Sequence, residues 1–589
     1  MVSSAPLLST PSVKPHSRHA GPAARRAHPA WSSERLSAAL ASSFPTESVV
    51  VLANRQPFSH DWMPGQGIVV SRSSGGLVTA LEPVMRACFG TWVAHGTGTA
   101  DKAVVDCRDG VRVPPATPTY RLRRVWLNGA EERGYYSGFA NEGLWALCHD
   151  AGVKPVFRPN DFETYATVNA RFSEAVLEEV EGDSPLVLVQ DYHFALAPLY
   201  VRKRLPQSTI VAFWHIPWPR RRKLMACPWW RELVYGLLAS SIVGFQTTDD
   251  CVNFLDSVEA LPRCRVDRTQ NVVTHDGFRT VVRAYPVSLE WPNRLVSESL
   301  PVDACREAVR RELGLEPGIR LGIGVDRLDY TKGIVHKLLA IERLLEDHPD
   351  LRGRCVFVQI AEPSRTGLTA YRDVRMSVLT ACARINARFG TGTYRPIVLR
   401  ERHHEPAEVY RFLRGADLCY VGSLHDGMNL VAKEFVSSRD DERGVLVLSR
   451  FAGAAQQLRG ALMVNPYKIE ESASRLAEAL QMPEQEQADR MRSMRTVVAE
   501  FNAFWWAGRM IEDAANSRQT GRSTNTIPFA GSSRRRLNFR VGESAGHDVT
   551  CRAGTAAVAR ERPRLHDPID RAARGAFRLR SPVWPCRTP

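Results

Sequence analysis

The sequence predicts an α/β protein built from two doubly wound domains, each a mostly parallel sheet flanked by helices. Short apolar runs recur through the body of the chain, mostly uninterrupted, as strands buried on both faces must be. Segments with helical spacing of apolar residues separate them. The runs are too many for one sheet, and 589 residues at roughly 150 per domain leave room for more than one.

Taken in chain order, residues 1–44 are rich in Ser, Ala, Pro and Arg, lack an apolar period and read as a disordered basic tail. Ser48–Ala53, Pro185–Val189, Thr209–Trp214 and Ser241–Phe245 read as buried strands of a first domain, 45–290. A hinge near Val287–Leu300 precedes a second domain, 291–485, with strands at Arg320–Val325, Cys355–Ile360, Pro396–Leu399, Ala416–Val421 and Gly444–Leu448. Val302–Leu313 and Gly333–Leu345 carry helical patterns within it. Ala488–Asn516 is a long helical stretch with no following strand, so residues 486–517 are expected to pack back across the domains. Residues 518–589 read as a second disordered basic tail.

The formal net charge of +15 sits in the tails. Residues 1–44 hold five Lys or Arg against one Glu, and residues 518–589 hold fifteen Arg against five acids. The body is close to neutral, which argues against a nucleic-acid partner, since such enzymes carry their basic surface on the folded body. No apolar stretch reaches the roughly 18 residues of a membrane span. The 12 cysteines are scattered without C-x-x-C spacing, which points to a reducing, cytoplasmic setting rather than a disulfide framework or zinc site.

Open parallel sheets bind ligands beyond the carboxyl ends of their strands. At those ends stand Asn54-Arg55, Gln190–His193, His215, Asp326–Gly333, Ala361–Arg365 and Gly422–Glu434, six polar clusters in order that imply one shared cleft. Arg327 and Lys332, five apart at an apparent helix start, suit a diphosphate. Asp426–Leu430 (DGMNL) leads into a helix whose first N–H groups make a phosphate cradle, and Glu434, about one turn in, can hold ribose hydroxyls. Gly75-Gly76 is a second loop permitting close backbone approach. There is no G-x-x-x-x-G-K-[ST], G-x-G-x-x-G or H-E-x-x-H; His403-His404 reads as surface, and neither a metal nor a cofactor is expected.

These residues resemble the trehalose-6-phosphate synthase family of retaining glycosyltransferases. The shared features are A-N-R at Ala53–Arg55, S-G-G-L at Ser74–Leu77, E-G-L-W at Glu142–Trp145, D-Y-H at Asp191–His193, H-I-P-W-P at His215–Pro219 and G-F-Q-T at Gly244–Thr247. They continue with R-L-D-Y-T-K-G at Arg327–Gly333, Q-I-A-E-P-S-R at Gln359–Arg365, D-G-M-N-L-V-A-K-E at Asp426–Glu434 and S-R-F-A-G-A-A at Ser449–Ala455. The resemblance implies a GT-B fold, two Rossmann-like domains facing a central cleft. It implies that Gly75, Gly76, Arg327, Lys332, Asp426, Gly427, Met428, Asn429, Leu430, Val431 and Glu434 bind the donor. It implies Arg55, Tyr136, Trp145, Asp191 and Arg365 for the acceptor, with Asp191, His215, Arg327, Lys332 and Asp426 at the reaction centre. The implied reaction moves glucose from a nucleoside-diphosphate glucose, UDP-glucose foremost, to glucose 6-phosphate without a metal. Gln190, His95, His425 and Arg220–Lys223 depart from the commonest family pattern. They leave open the donor base and the acceptor, with a glucosylglycerol-phosphate synthase, a pseudo-glycosyltransferase or a non-catalytic sugar-nucleotide sensor as alternatives. Whether the chain forms a homo-oligomer is also left open.

Overall fold

The structure is a computed structural model and describes residues 30–73 and 75–524. Eighteen strands build it: β1 (Val49–Arg55), β2 (Phe58–Met63), β3 (Gly67–Arg72), β4 (Thr91–His95), β5 (Gly110–Val113), β6 (Tyr120–Val125), β7 (Leu186–Gln190), β8 (Thr209–Phe213), β9 (Ile242–Phe245), β10 (Cys264–Asp267), β11 (Val272–His275), β12 (Phe278–Ala284), β13 (Arg320–Arg327), β14 (Cys355–Glu362), β15 (Ile397–Arg400), β16 (Leu418–Val421), β17 (Val445–Ser449) and β18 (Leu462–Val464).

The first sheet has the spatial order β10-β11-β12-β9-β8-β7-β1-β4-β6-β5. Its centre is parallel, while β5, β10 and β11 add antiparallel edges. The second, β15-β14-β13-β16-β17-β18, is parallel throughout. The central strands β7, β8, β9 and β17 are buried along their whole length, which is why they read as unbroken apolar runs. In each sheet the strand order reverses beside the domain's first strand, between β1 and β7 and between β13 and β16. Such switch points open a crevice beyond the strand ends, and it is there that Arg55, Asp191, Arg327 and Asp426 stand. β2 and β3 form a separate hairpin leading into the Gly75-Gly76 loop and helix α2 (Gly76–Cys88).

All nine apolar runs are strands, and β6 shows why others escaped. Its sequence YRLRRV carries three arginines, each neutralised from a distant segment. Arg121 pairs with Asp106 at 2.6 Å, Arg123 with Glu178 at 2.9 Å and the fully buried Arg124 with Asp101 at 2.9 Å. A strand that buries charge against remote partners has no apolar signature of its own.

The expected N-terminal tail is corrected in part. Ser33–Ser43 form helix α1, capped by Ser32, whose hydroxyl accepts from the Arg35 N–H at 3.3 Å. Leu36 and Leu40, one turn apart, are buried together with Trp31 and Phe44. Only two leucines mark the inner face of this Ser- and Ala-rich helix, so its period is faint in sequence. Its partners are α2 and the helix Ala503–Thr524. The Trp31 carbonyl accepts from Asn502 Nδ2 at 3.0 Å, and a Cβ at Gly508 would lie 2.1 Å from the Trp31 ring.

The long terminal helix is corrected too. It is two helices, Glu484–Glu500 and Ala503–Thr524, broken where Asn502 Oδ1 accepts from the Trp505 N–H at 2.9 Å. The first lies on the second domain, where Arg495 donates to the Ser437 carbonyl at 3.0 Å. The second lies on the first domain: Asp513 accepts from the Tyr285 hydroxyl at 2.8 Å, and Trp506 packs edge-on against Phe213 at 5.2 Å. It runs seven residues beyond the expected limit at 517, to Thr524. The remainder of the two tails, 1–29 and 525–589, lies outside the described residues.

Candidate active site

A cavity of about 360 Å³ opens between the carboxyl ends of the two sheets. Arg55, Gly75, Gly76, Tyr136, Trp145, Asp191, His215, Arg327, Lys332, Arg365, Asp426, Met428, Asn429, Leu430, Val431 and Glu434 all line it. Gly427 is the exception among the residues expected there. It is pressed against the first domain, where an added Cβ would sit 2.3 Å from the His215 carbonyl oxygen. Its place is a close approach of the two domains rather than the cavity wall.

The second domain supplies a cationic wall. Arg327 ends β13, and Lys332 closes the turn Tyr330–Lys332, whose first N–H groups are held by the buried Asp329. Gly333 then takes φ 62°, and a side chain there would strike the Gly422 carbonyl at 2.2 Å, so glycine lets the two switch-point loops touch. Lys332 Nζ meets Asp426 Oδ2 at 2.5 Å. Ser423 Oγ and Asn429 Nδ2 reach the same oxygen, each at 3.2 Å. Burial is the largest influence on the Asp426 carboxyl and raises its pKa, but the charge and hydrogen bond of Lys332, with His149 and the Asn429 hydrogen bond, together hold it below its ordinary value. Asn429, at φ 75°, caps the helix Leu430–Ser438 through the Ala432 N–H at 3.1 Å. The N–H groups of Leu430 and Val431 have no acceptor within their helix and offer an anion cradle at the positive end of its dipole. Glu434 lies one turn further, its carboxyl pushed up to about 7 by burial.

The first domain supplies the facing wall. Asp191 follows β7 in a left-handed conformation, φ 75°, where a non-glycine residue is strained. Its Oδ1 accepts from the N–H groups of Tyr192 at 2.9 Å and His215 at 3.2 Å, and burial pushes its carboxyl up to about 7. His215 Nε2 lies 2.8 Å from Gln190 Oε1, and burial pushes its pKa down to about 3, so the ring is neutral. Tyr136 stacks on His193 at 5.7 Å. Arg365 crosses from the second domain to complete this wall. It pairs with Asp329 at 3.2 Å, donates to the Tyr371 hydroxyl at 2.5 Å and the Tyr192 hydroxyl at 3.3 Å, and lies 4.3 Å over the Trp145 ring. Arg327 lies 5.3 Å over the same ring. Gly75, at φ 135°, sits against Arg55, where a Cβ would be 3.2 Å from Nη1; a Cβ on Gly76 would be 3.0 Å from Leu430 of the other domain.

The departures from the family pattern now have positions. Gln190 is the partner of His215. His425 donates through Nδ1 to the His149 carbonyl at 2.7 Å, bridging the domains. His95 is buried at the end of β4, and Lys223 pairs with Asp150 on the surface. The expectation of a surface His403-His404 pair is corrected at His404, which is 3% exposed and lines the cavity. Arg72, His149, Tyr192, Gln246 and Tyr410 also line it without having been singled out. Tyr192 sits inside the D-Y-H run and His149 one helical turn after Trp145, so both were adjacent to recognised residues; Arg72 and Tyr410 carried no local signal.

Residues 47–516 match the model of glycosyltransferase family 20. The chain belongs to that family. Family 20 relatives include the trehalose-6-phosphate synthase of Mycobacterium sp. (strain KMS), 36% identical over 483 residues that make 80% of this chain and 95% of the relative. The enzyme of that name from Mycolicibacterium smegmatis is 36% identical over 491 residues, 81% of this chain and 94% of the relative. Among solved structures, an α,α-trehalose-phosphate synthase (UDP-forming) from Burkholderia xenovorans in complex with glucose-6-phosphate superposes with a TM-score of 0.70. It is 31% identical and covers 79% of this chain and 99% of its own. An E. coli structure bound with UDP-2-fluoro glucose has a TM-score of 0.70 at 29% identity, covering 80% and 99%. These family 20 structures share the GT-B arrangement of two Rossmann-like domains. Among the described residues no helix is long and apolar enough to cross a membrane.

Proposed function

We propose that this chain is an α,α-trehalose-phosphate synthase that transfers glucose from UDP-glucose to glucose 6-phosphate with retention at the anomeric carbon. The observation that carries this reading is one cavity lined by cations, a helix start and carboxylates, which we divide into two anion sites with carboxylates between them. Arg327, Lys332 and the helix start at Leu430 form the first; Arg55, Arg365 and Tyr136 form the second; Asp191 and Asp426 stand between. The first suits the diphosphate of a nucleotide sugar, with Glu434 placed for the ribose. The second suits a phosphate monoester, since paired guanidinium groups match its oxygens. The relatives solved with UDP-2-fluoro glucose and with glucose-6-phosphate support the same pairing.

The mechanism follows from what each group is free to do. Asp426 is engaged by Lys332, Asn429 and Ser423, and Asp191 by two backbone N–H groups, so neither is poised as a nucleophile. Both can accept sugar hydroxyls and so orient donor and acceptor. Arg327, Lys332 and the N–H groups at Leu430 and Val431 stabilise the charge that grows on the leaving diphosphate. The acceptor hydroxyl then attacks from the face the diphosphate leaves, and its proton passes to the departing phosphate oxygen. Attack on that face yields retention.

Incubation with glucose 6-phosphate and UDP-, GDP- or ADP-glucose, followed by NMR of the product, tests the reading. α,α-Trehalose 6-phosphate with UDP released is the expected result. A different disaccharide, or binding without turnover, refutes it.

A further inference from the structure

His149 belongs to the short helix Ala146–His149 at the junction of the domains, is 1% exposed and lines the cavity. Its ring packs on that of Trp145 with centroids 3.9 Å apart. Nδ1 lies 3.0 Å from the Trp145 carbonyl, and its own carbonyl is held from the second domain by His425 at 2.7 Å. A carbonyl oxygen can only accept, so Nδ1 carries the proton. In a neutral ring that leaves Nε2 as a bare acceptor. Burial pushes the His149 pKa down to about 3, so the ring is neutral. Among the described residues nothing bonds to Nε2. The titratable groups that reach this ring are Asp329, Asp426, His425 and Lys332.

An acceptor nitrogen that the protein leaves unpaired, on a side chain 1% exposed in the wall of a substrate cavity, calls for a ligand donor. The cavity already holds the carboxylates Asp191 and Asp426, and a further anionic acceptor would be repelled by them. A neutral imidazole accepts a hydroxyl without adding charge. A sugar hydroxyl both donates and accepts, so one that donates to His149 can still accept from Lys332 or Asn429. We infer that His149 Nε2 accepts a hydrogen bond from one hydroxyl of the transferred hexose, making His149 a specificity-determining residue for the donor sugar, held in place by Trp145 and His425. The inference rests on the glycosyltransferase reading above, since it takes the hexose to lie beside Asp426.

The test uses UDP-glucose and its 2-, 3-, 4- and 6-deoxy analogues with glucose 6-phosphate as acceptor. Turnover of UDP-glucose by the wild-type enzyme tests the underlying reading independently of any variant. His149→Phe keeps a ring against Trp145 and removes the acceptor nitrogen. It should lower kcat/KM for UDP-glucose by roughly 10- to 100-fold. It should leave the KM for glucose 6-phosphate within about twofold, because the Phe ring keeps the contact with Trp145, on which Arg365 rests. One deoxy donor should lose nothing further in the variant, while the other three fall by the same factor in both enzymes. UDP affinity by calorimetry should match the wild type, showing that the diphosphate wall is intact. If all four analogues are penalised equally in variant and wild type, or if the loss lies in the acceptor KM, the inference is overturned. Should His149→Phe not fold, His149→Asn carries the same donor series with the same two outcomes.

Discussion

Lys332 is expected to serve two purposes, and the structure allows them to be separated. Its ammonium lies 2.5 Å from Asp426 Oδ2, with the two side chains 13% and 12% exposed. Lys332→Met therefore leaves a carboxylate in a nearly closed site with only Ser423 Oγ and Asn429 Nδ2, each at 3.2 Å, to hold it. Breaking a buried pair from one side costs about 3–5 kcal/mol, and the two remaining hydrogen bonds place this case near about 3 kcal/mol. Urea denaturation should show that loss. Turnover should fall by on the order of 100-fold or more, because a charge aimed at the leaving diphosphate is gone. The double variant Lys332→Met, Asp426→Asn removes the stranded charge. Its stability should return to within about 1 kcal/mol of the wild type while its turnover stays low. Near-normal turnover in Lys332→Met would refute the leaving-group assignment. Recovery of turnover in the double variant would show that the lysine only neutralises Asp426.

Arg55→Ala and Arg365→Ala should each raise the KM for glucose 6-phosphate by about tenfold or more and that for the donor far less; a larger effect on the donor KM would reverse the division of the cleft. Arg365→Ala should also lower stability in denaturant titration, because Asp329, fully buried, loses a partner at 3.2 Å and keeps Arg327 at 3.6 Å. Asp191 is pushed up to about 7 by burial, and its ionised form is much the stronger acceptor of a hydroxyl. At saturating donor, kcat/KM for the acceptor should therefore be level above about pH 7 and fall as the pH drops through it. Asp191→Asn should lose that limb from its residual activity, the comparison removing the acceptor's own titration; an unchanged profile would exclude Asp191. Trp31→Ala should destabilise by about 3–5 kcal/mol and Gly508→Ala by about 1–3 kcal/mol, one leaving a cavity and the other a clash in the α1 contact; melts superimposable on the wild type would mean that this contact contributes nothing.

The amino-acid sequence by itself determined the class of fold and most of the residues that line the cleft. Runs such as LVLVQ in β7 and VLVLS in β17 are buried on both faces, and that condition writes itself into consecutive residues. The strand-end clusters were legible for the same reason, because strand and following loop are contiguous: Arg327 through Gly333 and Asp426 through Glu434 could be read as units. What only the tertiary structure decided joins residues remote along the chain. Helix α1 is a weak pattern until Trp31 meets Gly508 and Asn502. The arginines of β6 look like surface charge until Asp101, Asp106 and Glu178 arrive from elsewhere. Lys332 and Asp426 stand 94 residues apart, and Arg365 belongs to one domain while meeting Tyr192 of the other, 173 residues away. The bare nitrogen of His149 exists only because the backbone of Trp145 fixes its proton and because the fold turns that ring edge to the cavity. Local periodicity records which faces are buried, but the energy of a buried charge or lone pair depends on partners that meet it only when both sheets have closed on the cleft.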